Sequence, residues 1–282
     1  MTPFVAALVL ASAALHPLWN LLIKRNASPV GAYLGLAGTL VGLALLHALW
    51  SGAPLWPPAG AWGLLAVSAA GQGLYGVALV TVLRRGDLSA YYPVVRASPI
   101  AIVAYGWLVQ GATYGWPMLA GILLVLAGGY RLQAGSGRRL DDPVALGAAV
   151  LAMMGAAVYS VADGIAMRSM APEVLLFWTQ LAALPLLLAG FRAVGQAVPL
   201  RPPSRIPWVA LGAGALSYGS YYLILLAYQM GAPVAAVASV RQASIPLSVL
   251  IGALWLGEKR LAGRLGASLL VAAGIVLIIL NR

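Results

Sequence analysis

Long apolar runs alternate with short polar breaks along the whole chain, and the length of the runs suits a single kind of element. A helix that crosses a bilayer needs about 20 mainly apolar residues. Breaking the sequence at Pro, Gly and charge clusters leaves ten such runs, over 4–24, 31–50, 59–83, 87–108, 113–133, 143–168, 172–191, 206–229, 233–256 and 260–280. The longest connectors are Leu132–Asp142 and Arg192–Arg205. The runs lack period-two alternation and are rich in Ala, Leu and Gly, so strands are not expected. The pattern predicts an all-α membrane protein of ten transmembrane helices.

The two halves of the chain echo each other. A shift of 145 pairs Gly86 with Gly231, Val95 with Val240, Arg96 with Arg241, Ile100 with Ile245, Gly121 with Gly266 and Gly129 with Gly274. A shift of 143 pairs Ala13 with Ala156, Asn20 with Asp163, Arg25 with Arg168 and Pro29 with Pro172. Small-residue matches are cheap in such a chain; the intramembrane arginine pair is not. Two five-helix repeats, 1–140 and 141–282, are therefore expected, and because five is odd they insert inverted relative to each other. The basic residues agree. Connectors after the odd runs hold 13 of them, including Arg84, Arg131, Arg192 and Lys259, whereas the even connectors and the termini hold only Arg168 and Arg282. By the positive-inside tendency the odd connectors are cytoplasmic and both termini lie outside.

Composition narrows the chemistry. Of 282 residues, 62% are hydrophobic and 8% charged, against roughly a quarter charged in soluble domains. The lipid tails must therefore solvate most of the surface. The excess of 17 Lys+Arg over 6 Asp+Glu sits in connectors and reads as a topology signal, not as a nucleic-acid surface. The start, MTPFVAALVL, has no basic n-region, so Phe4 onward reads as a retained first span and not as a signal peptide. The absence of Cys excludes thiolate sites. With only two His, a histidine metal site is not expected either, nor is any cofactor. No phosphate-binding loop is present, which excludes ATP hydrolysis by this chain.

Few residues remain that could carry function. Arg96 and Arg241 fall near the middles of the fourth and ninth runs. A charged side chain at mid-bilayer costs roughly 2.5–3.5 kcal/mol on insertion scales, so each needs a cavity or a partner. One reading makes them a cationic site, since a guanidinium offers forked donors suited to carboxylate or phosphate. The other has them bind backbone carbonyls at helix breaks near Pro93, Pro99 and Pro246. Tyr91 and Tyr92, about one turn from Arg96, and Gln242, beside Arg241, join the candidate lining. His16, Asn20 and Lys24 share one stripe of the first helix with Trp19 beside it, and Tyr159 and Asp163 occupy the matching turns of the sixth. For His16, which precedes Pro17, a hydrogen bond within the bundle is expected ahead of catalysis. Tyr221, with Tyr218, Tyr222 and Tyr75, offers stacking surface, whereas Trp50, Trp56, Trp62, Trp116 and Trp208 sit near run ends as interfacial anchors. Asp163 reads either as a coupling site for a proton or cation or as a structural partner of Arg168.

The stretch QMGAPVAAVASVRQASIP over 229–246, followed by LGEKR over 256–260 and Gly266…Gly274, resembles the second repeat of the EamA-type carriers of the drug/metabolite transporter superfamily. ALHPLWNLLIK over 14–24 is similar to the first helix of one subgroup. The Gly-Glu motif stands at Gly257-Glu258; the equivalent place in the first half, Val109-Gln-Gly-Ala, has no glutamate. The resemblance implies a ten-helix secondary active transporter, an exporter of small metabolites such as amino acids or other small organic ions, with a cavity between the repeats and alternating access. Its partners would be a small-molecule substrate, the lipid bilayer and a coupling proton or ion, with no nucleic acid, in a monomer or homodimer. A multi-pass place in a bacterial-type inner (plasma) membrane follows. The rival functions are an intramembrane enzyme, for which the chain has no DDxxD or HExxH motif and no Gly-Asp pair inside a run, Gly86-Asp87 standing at a run end, and a non-catalytic membrane partner subunit.

Overall fold

The computed structural model describes residues 1–24, 29–85, 88–134, 141–198, 206–247 and 261–280. Asp87, the Gly257-Glu258 motif and the connector residues Arg25, Arg138, Arg139, Arg201, Arg205, Lys259 and Arg260 lie outside them. Among the described residues there is no strand. The helices are α1 (Pro3–Lys24), α2 (Pro29–Ser51), α3 (Trp62–Arg85), α4 (Leu88–Val95), α5 (Ser98–Gln110) and α6 (Trp116–Ala134) in the first half. The second half has α7 (Pro143–Ala166), α8 (Pro172–Ala193), α9 (Ile206–Gln229), α10 (Val234–Val240) and α11 (Leu261–Leu280). The described part of each apolar run is largely helical, with an interruption in two of them. The fourth run, 87–108, is two helices, α4 and α5, with Arg96 and Ala97 between them. In the ninth run α10 tightens into a 3₁₀ turn over Arg241–Ala243.

Both interruptions stand just before a proline. Pro99 has no N–H to give to the carbonyl of Val95, and Pro246 none to give to that of Gln242, so the helical ladder lapses at those carbonyls. Pro29, Pro143 and Pro172 each open a helix, where a missing N–H costs nothing, whereas Pro17 and Pro185 are carried inside α1 and α8. Ahead of α7 the Asp142 carboxylate accepts from the N–H of Val144 at 2.8 Å and of Ala145 at 3.2 Å, which caps that helix. Arg85 Nε, at the end of α3, lies 3.3 Å from the same carboxylate. These bonds, that from Ala145 above all, hold the Asp142 carboxyl below its ordinary range.

Among the described residues, five stretches are long and apolar enough to cross a membrane: Val30–Ser51, Ala59–Arg85, Pro143–Ala166, Pro172–Ala193 and Trp208–Gln229. The surface is the inverse of a soluble protein's. Leu46, Leu49, Trp107, Leu108, Leu123 and Leu269 are exposed, while Ser12, His16, Ser68, Gln72, Asp163, Thr179, Ser220 and Gln242 are buried. Apolar surface this broad belongs against lipid; the chain is a multi-pass membrane protein. The five tryptophans expected near the span ends are all exposed.

Where helices meet most closely, glycine permits it. α3 lies along α7 with Gly71 against Gly155; a Cβ on Gly155 would stand 2.8 Å from the backbone nitrogen of Tyr75. α6 lies along α11 with Gly121 against Gly274. α1 runs beside α9, where the hydroxyls of Ser12 and Ser220 are 3.0 Å apart. α2 packs on both α8 and α9, and α3 on α8. Small residues at such crossings let backbones approach and gain dispersion contact, which drives association where lipid removes the hydrophobic effect.

Candidate substrate cavity

Two adjoining cavities lie between the first and second halves. The larger, about 80 Å³, is lined by His16 and Trp19 of α1, Tyr33, Leu36 and Leu40 of α2, Gln72 and Tyr75 of α3, Tyr159 of α7, Gln180 and Leu187 of α8, Ser217 and Tyr221 of α9, and Arg241. The smaller, about 40 Å³, is lined by His16, Tyr75, Val95, Arg96, Ser98, Tyr159, Ser160, Tyr228, Arg241 and Gln242, among others. His16, Tyr75, Tyr159 and Arg241 line both.

The broken helices put the arginines there. Arg96 follows the last residue of α4, and its backbone carbonyl accepts from Gln242 Nε2 at 2.8 Å. Arg241, in the 3₁₀ turn, holds its guanidinium 5.6 Å from the centre of the Tyr221 ring, a cation–π arrangement. A ladder of tyrosines crosses the site, Tyr75 to Tyr159 at 5.9 Å and Tyr159 to Tyr221 at 5.8 Å between ring centres. His16 is 3% exposed and stands edge-on to Trp19 at 4.9 Å. Neither of its ring nitrogens has a hydrogen-bond partner, so the bond within the bundle expected of it is not formed.

Asp163 lies behind this wall. Its carboxylate is wholly buried and accepts a hydrogen bond from the Tyr221 hydroxyl, with Ser68 adjoining it. Ser68 accepts from Gln72 Nε2 at 3.1 Å, and Gln72 in turn accepts from Gln180. The alternative expectation, a pair with Arg168, is corrected. Arg168 is exposed beyond the last turn of α7, and the carboxylate turns inward to Tyr221.

Of the residues singled out in the sequence, His16, Trp19, Arg96, Tyr159, Tyr221, Arg241 and Gln242 come together around the cavities. Tyr91 does not. Its hydroxyl accepts from the Asp142 N–H at 2.9 Å and lies 3.3 Å from the Asp142 carbonyl, which commits it to the start of α7. Five residues separate it from Arg96, and five steps of 100° place the two on different faces even of an unbroken helix. The side chains of Asn20 and Tyr92 lie outside the described residues. Sequence reasoning missed Tyr33, Gln180, Ser217 and Tyr228, and passed over Gln72. A weak signal existed, since Gln72 and Gln180 are amides inside apolar runs.

Contacts between the halves bound the larger cavity along α2 and α8. Two turns beyond Leu40 and Gln180, His47 Nδ1 is 2.6 Å from the Tyr218 hydroxyl and Ser51 donates to Glu173 Oε1 at 2.8 Å. In the other direction Tyr33 meets Phe191 edge-on at 6.5 Å, among Val30, Val80 and Leu187.

A cavity with polar side chains in its lining, inside a lipid-facing helical bundle and beside interrupted helices, is an arrangement that membrane carriers share. Residues 144–280, just under half of the chain, match the EamA-like transporter family. A protein of known crystal structure is similar in fold: 19% identical, with a TM-score of 0.78 over 98% of this chain and 96% of that one. No curated protein matches the sequence significantly.

Proposed function

We propose that the protein is a secondary active transporter of small organic ions, built from ten membrane-spanning helices as two inverted five-helix repeats and working in export by alternating access. The observation that carries this reading is the cavity itself: polar, within the apolar bundle, lined from both halves and bounded by contacts between them. The packing supports the repeat. Exchanging each span of the first half for its counterpart in the second turns α3 on α7 into α9 on α1, and α2 on α9 into α8 on α3. The pairs α6 with α11 and α2 with α8 map onto themselves. The same exchange relates the break at Arg96 to the distorted turn at Arg241. A rocking of one repeat against the other would open the cavity to each side in turn. Asp163, buried and joined to the lining by Tyr221, is suited to carry the coupling proton or cation.

The test is counterflow. Purified protein in liposomes is loaded with one unlabelled candidate from a panel of amino acids, carboxylates, phosphate esters and amines, and the labelled form is added outside. Transient accumulation of unaltered label above equilibrium is expected for at least one member. A folded, monodisperse protein that accumulates none of them would sink the proposal, and conversion of the label to another compound would point to an enzyme.

A further inference from the structure

The charges that line the two cavities have one sign. Arg96 lines the smaller and Arg241 both, and no described lining residue of either is Asp or Glu. Asp163 stands behind Tyr221 and is already bonded to it, and Glu173 and Asp142 sit at helix starts. Three further features favour an oxyanion at this place. His16 touches both cavities with two unpartnered ring nitrogens, and Arg241 Nε is buried without a partner. Buried polar atoms in that state are rare and ask for a ligand or water. Ser98 brings the first turn of α5, a helix of 13 residues, to the smaller cavity, and the positive end of a helix favours an anion. Beyond the residues shared with the smaller cavity, the larger one is lined by Leu36, Leu40 and Leu187 together with Tyr33, Gln72, Gln180 and Ser217.

We propose that the site takes a small organic anion without an ammonium group. Its carboxylate or phosphate head is held at Arg96, Arg241 and His16, and its short apolar tail lies toward Leu36 and Leu187. This deepens the transport reading and rests on it. An ammonium brought to the same place would enter the field of two guanidinium groups at low dielectric, with no described lining carboxylate to receive it. Amino acids and cationic amines are thereby disfavoured. Size follows from volume. A cavity of about 150 Å³ accommodates benzene, so about 80 Å³ suits a tail of three or four carbons.

Binding to the full chain, purified in detergent, would be measured for four matched compounds: butyrate, propyl phosphate, 2-aminobutyrate and propylamine. At least one of the two acids is expected to bind tenfold or more tightly than either nitrogen compound, and the better of the two identifies the head group. Arg241→Gln should weaken that acid roughly 10- to 150-fold, the worth of charge-assisted hydrogen bonds, at an unchanged melting temperature. Arg241→Lys, which keeps the charge and loses the fork, should recover part of the affinity. Propylamine or 2-aminobutyrate binding as well as the acids, with counterflow intact, would overturn the substrate class alone. So would an Arg241→Gln protein with a lowered melting temperature and unchanged affinity. If none of the four binds and the counterflow panel is also silent, the transport reading falls and this inference with it.

Discussion

Asp163 shows how one residue's meaning depends on what it touches. A carboxylate with no exposed surface in a membrane span is costly as an isolated charge, and groups of this kind mark ion pathways and proton relays. In this chain it is joined by a hydrogen bond to Tyr221, whose ring carries Arg241, so a change of charge at Asp163 would be felt at the cavity wall. Asp163→Asn preserves the shape and can still accept from Tyr221, but it cannot exchange a proton. Uptake driven by a pH gradient should then fall by roughly 5- to 150-fold, the usual range of a coupling free energy, while substrate exchange at equal pH is retained. Equal loss in both assays would assign Asp163 to structure alone.

Among the elements, α3 approaches α7 closely enough for backbone to face backbone. This approach depends on the missing side chains of Gly71 and Gly155, since a Cβ at Gly155 would meet the Gly71 carbonyl oxygen and the Tyr75 nitrogen, each at 2.8 Å. Backbone cannot yield as a side chain can. Gly155→Val is expected to separate the helices and to cost about 1–3 kcal/mol, the usual effect of overpacking, seen as a lowered melting temperature in detergent. Gly147, on the same helix, has nothing within 4 Å of its Cβ position. Gly147→Ala should leave the melting temperature unchanged or raise it, because alanine is the better helix former by about 1 kcal/mol. A Gly155→Val protein as stable as the parent would refute the close-packing account. The breaks at Arg96 and Arg241 belong to this scale as well. Pro99 and Pro246 were visible as possible interruptions, but their consequence, two arginines facing one cavity, depends on how α4, α5 and α10 pack.

For the molecule as a whole, the open property is its orientation. Thirteen basic residues follow the odd apolar runs and two lie in the even connectors and termini; if each run crosses the membrane once, the positive-inside tendency predicts both chain ends outside the cytoplasm. Alkaline phosphatase fused after Arg282 should be active in cells, and fused after Arg139 inactive. The reverse pattern would invert the orientation, and activity at both sites would refute an odd number of spans between them.

The sequence by itself determined that this is a helical membrane protein, because a span advertises itself through its length and apolarity alone. It also determined which buried charges need an explanation, since any charge within such a run is conspicuous. It brought His16, Arg96, Tyr159, Tyr221, Arg241 and Gln242 forward, and they line the cavities. Tertiary structure alone decided which face of each helix meets the cavity. In a chain apolar on all sides, a helix carries little amphipathic signal to orient it. That is why Tyr91, beside Arg96 in the sequence, turns away to α7, while Tyr33, Gln180 and Tyr228, distant from both arginines in the chain, enter the site. It likewise turned Asp163 from Arg168, five residues along its own chain, to Tyr221 on another helix, because a wholly buried carboxylate can be satisfied only by a donor that tertiary packing brings to it.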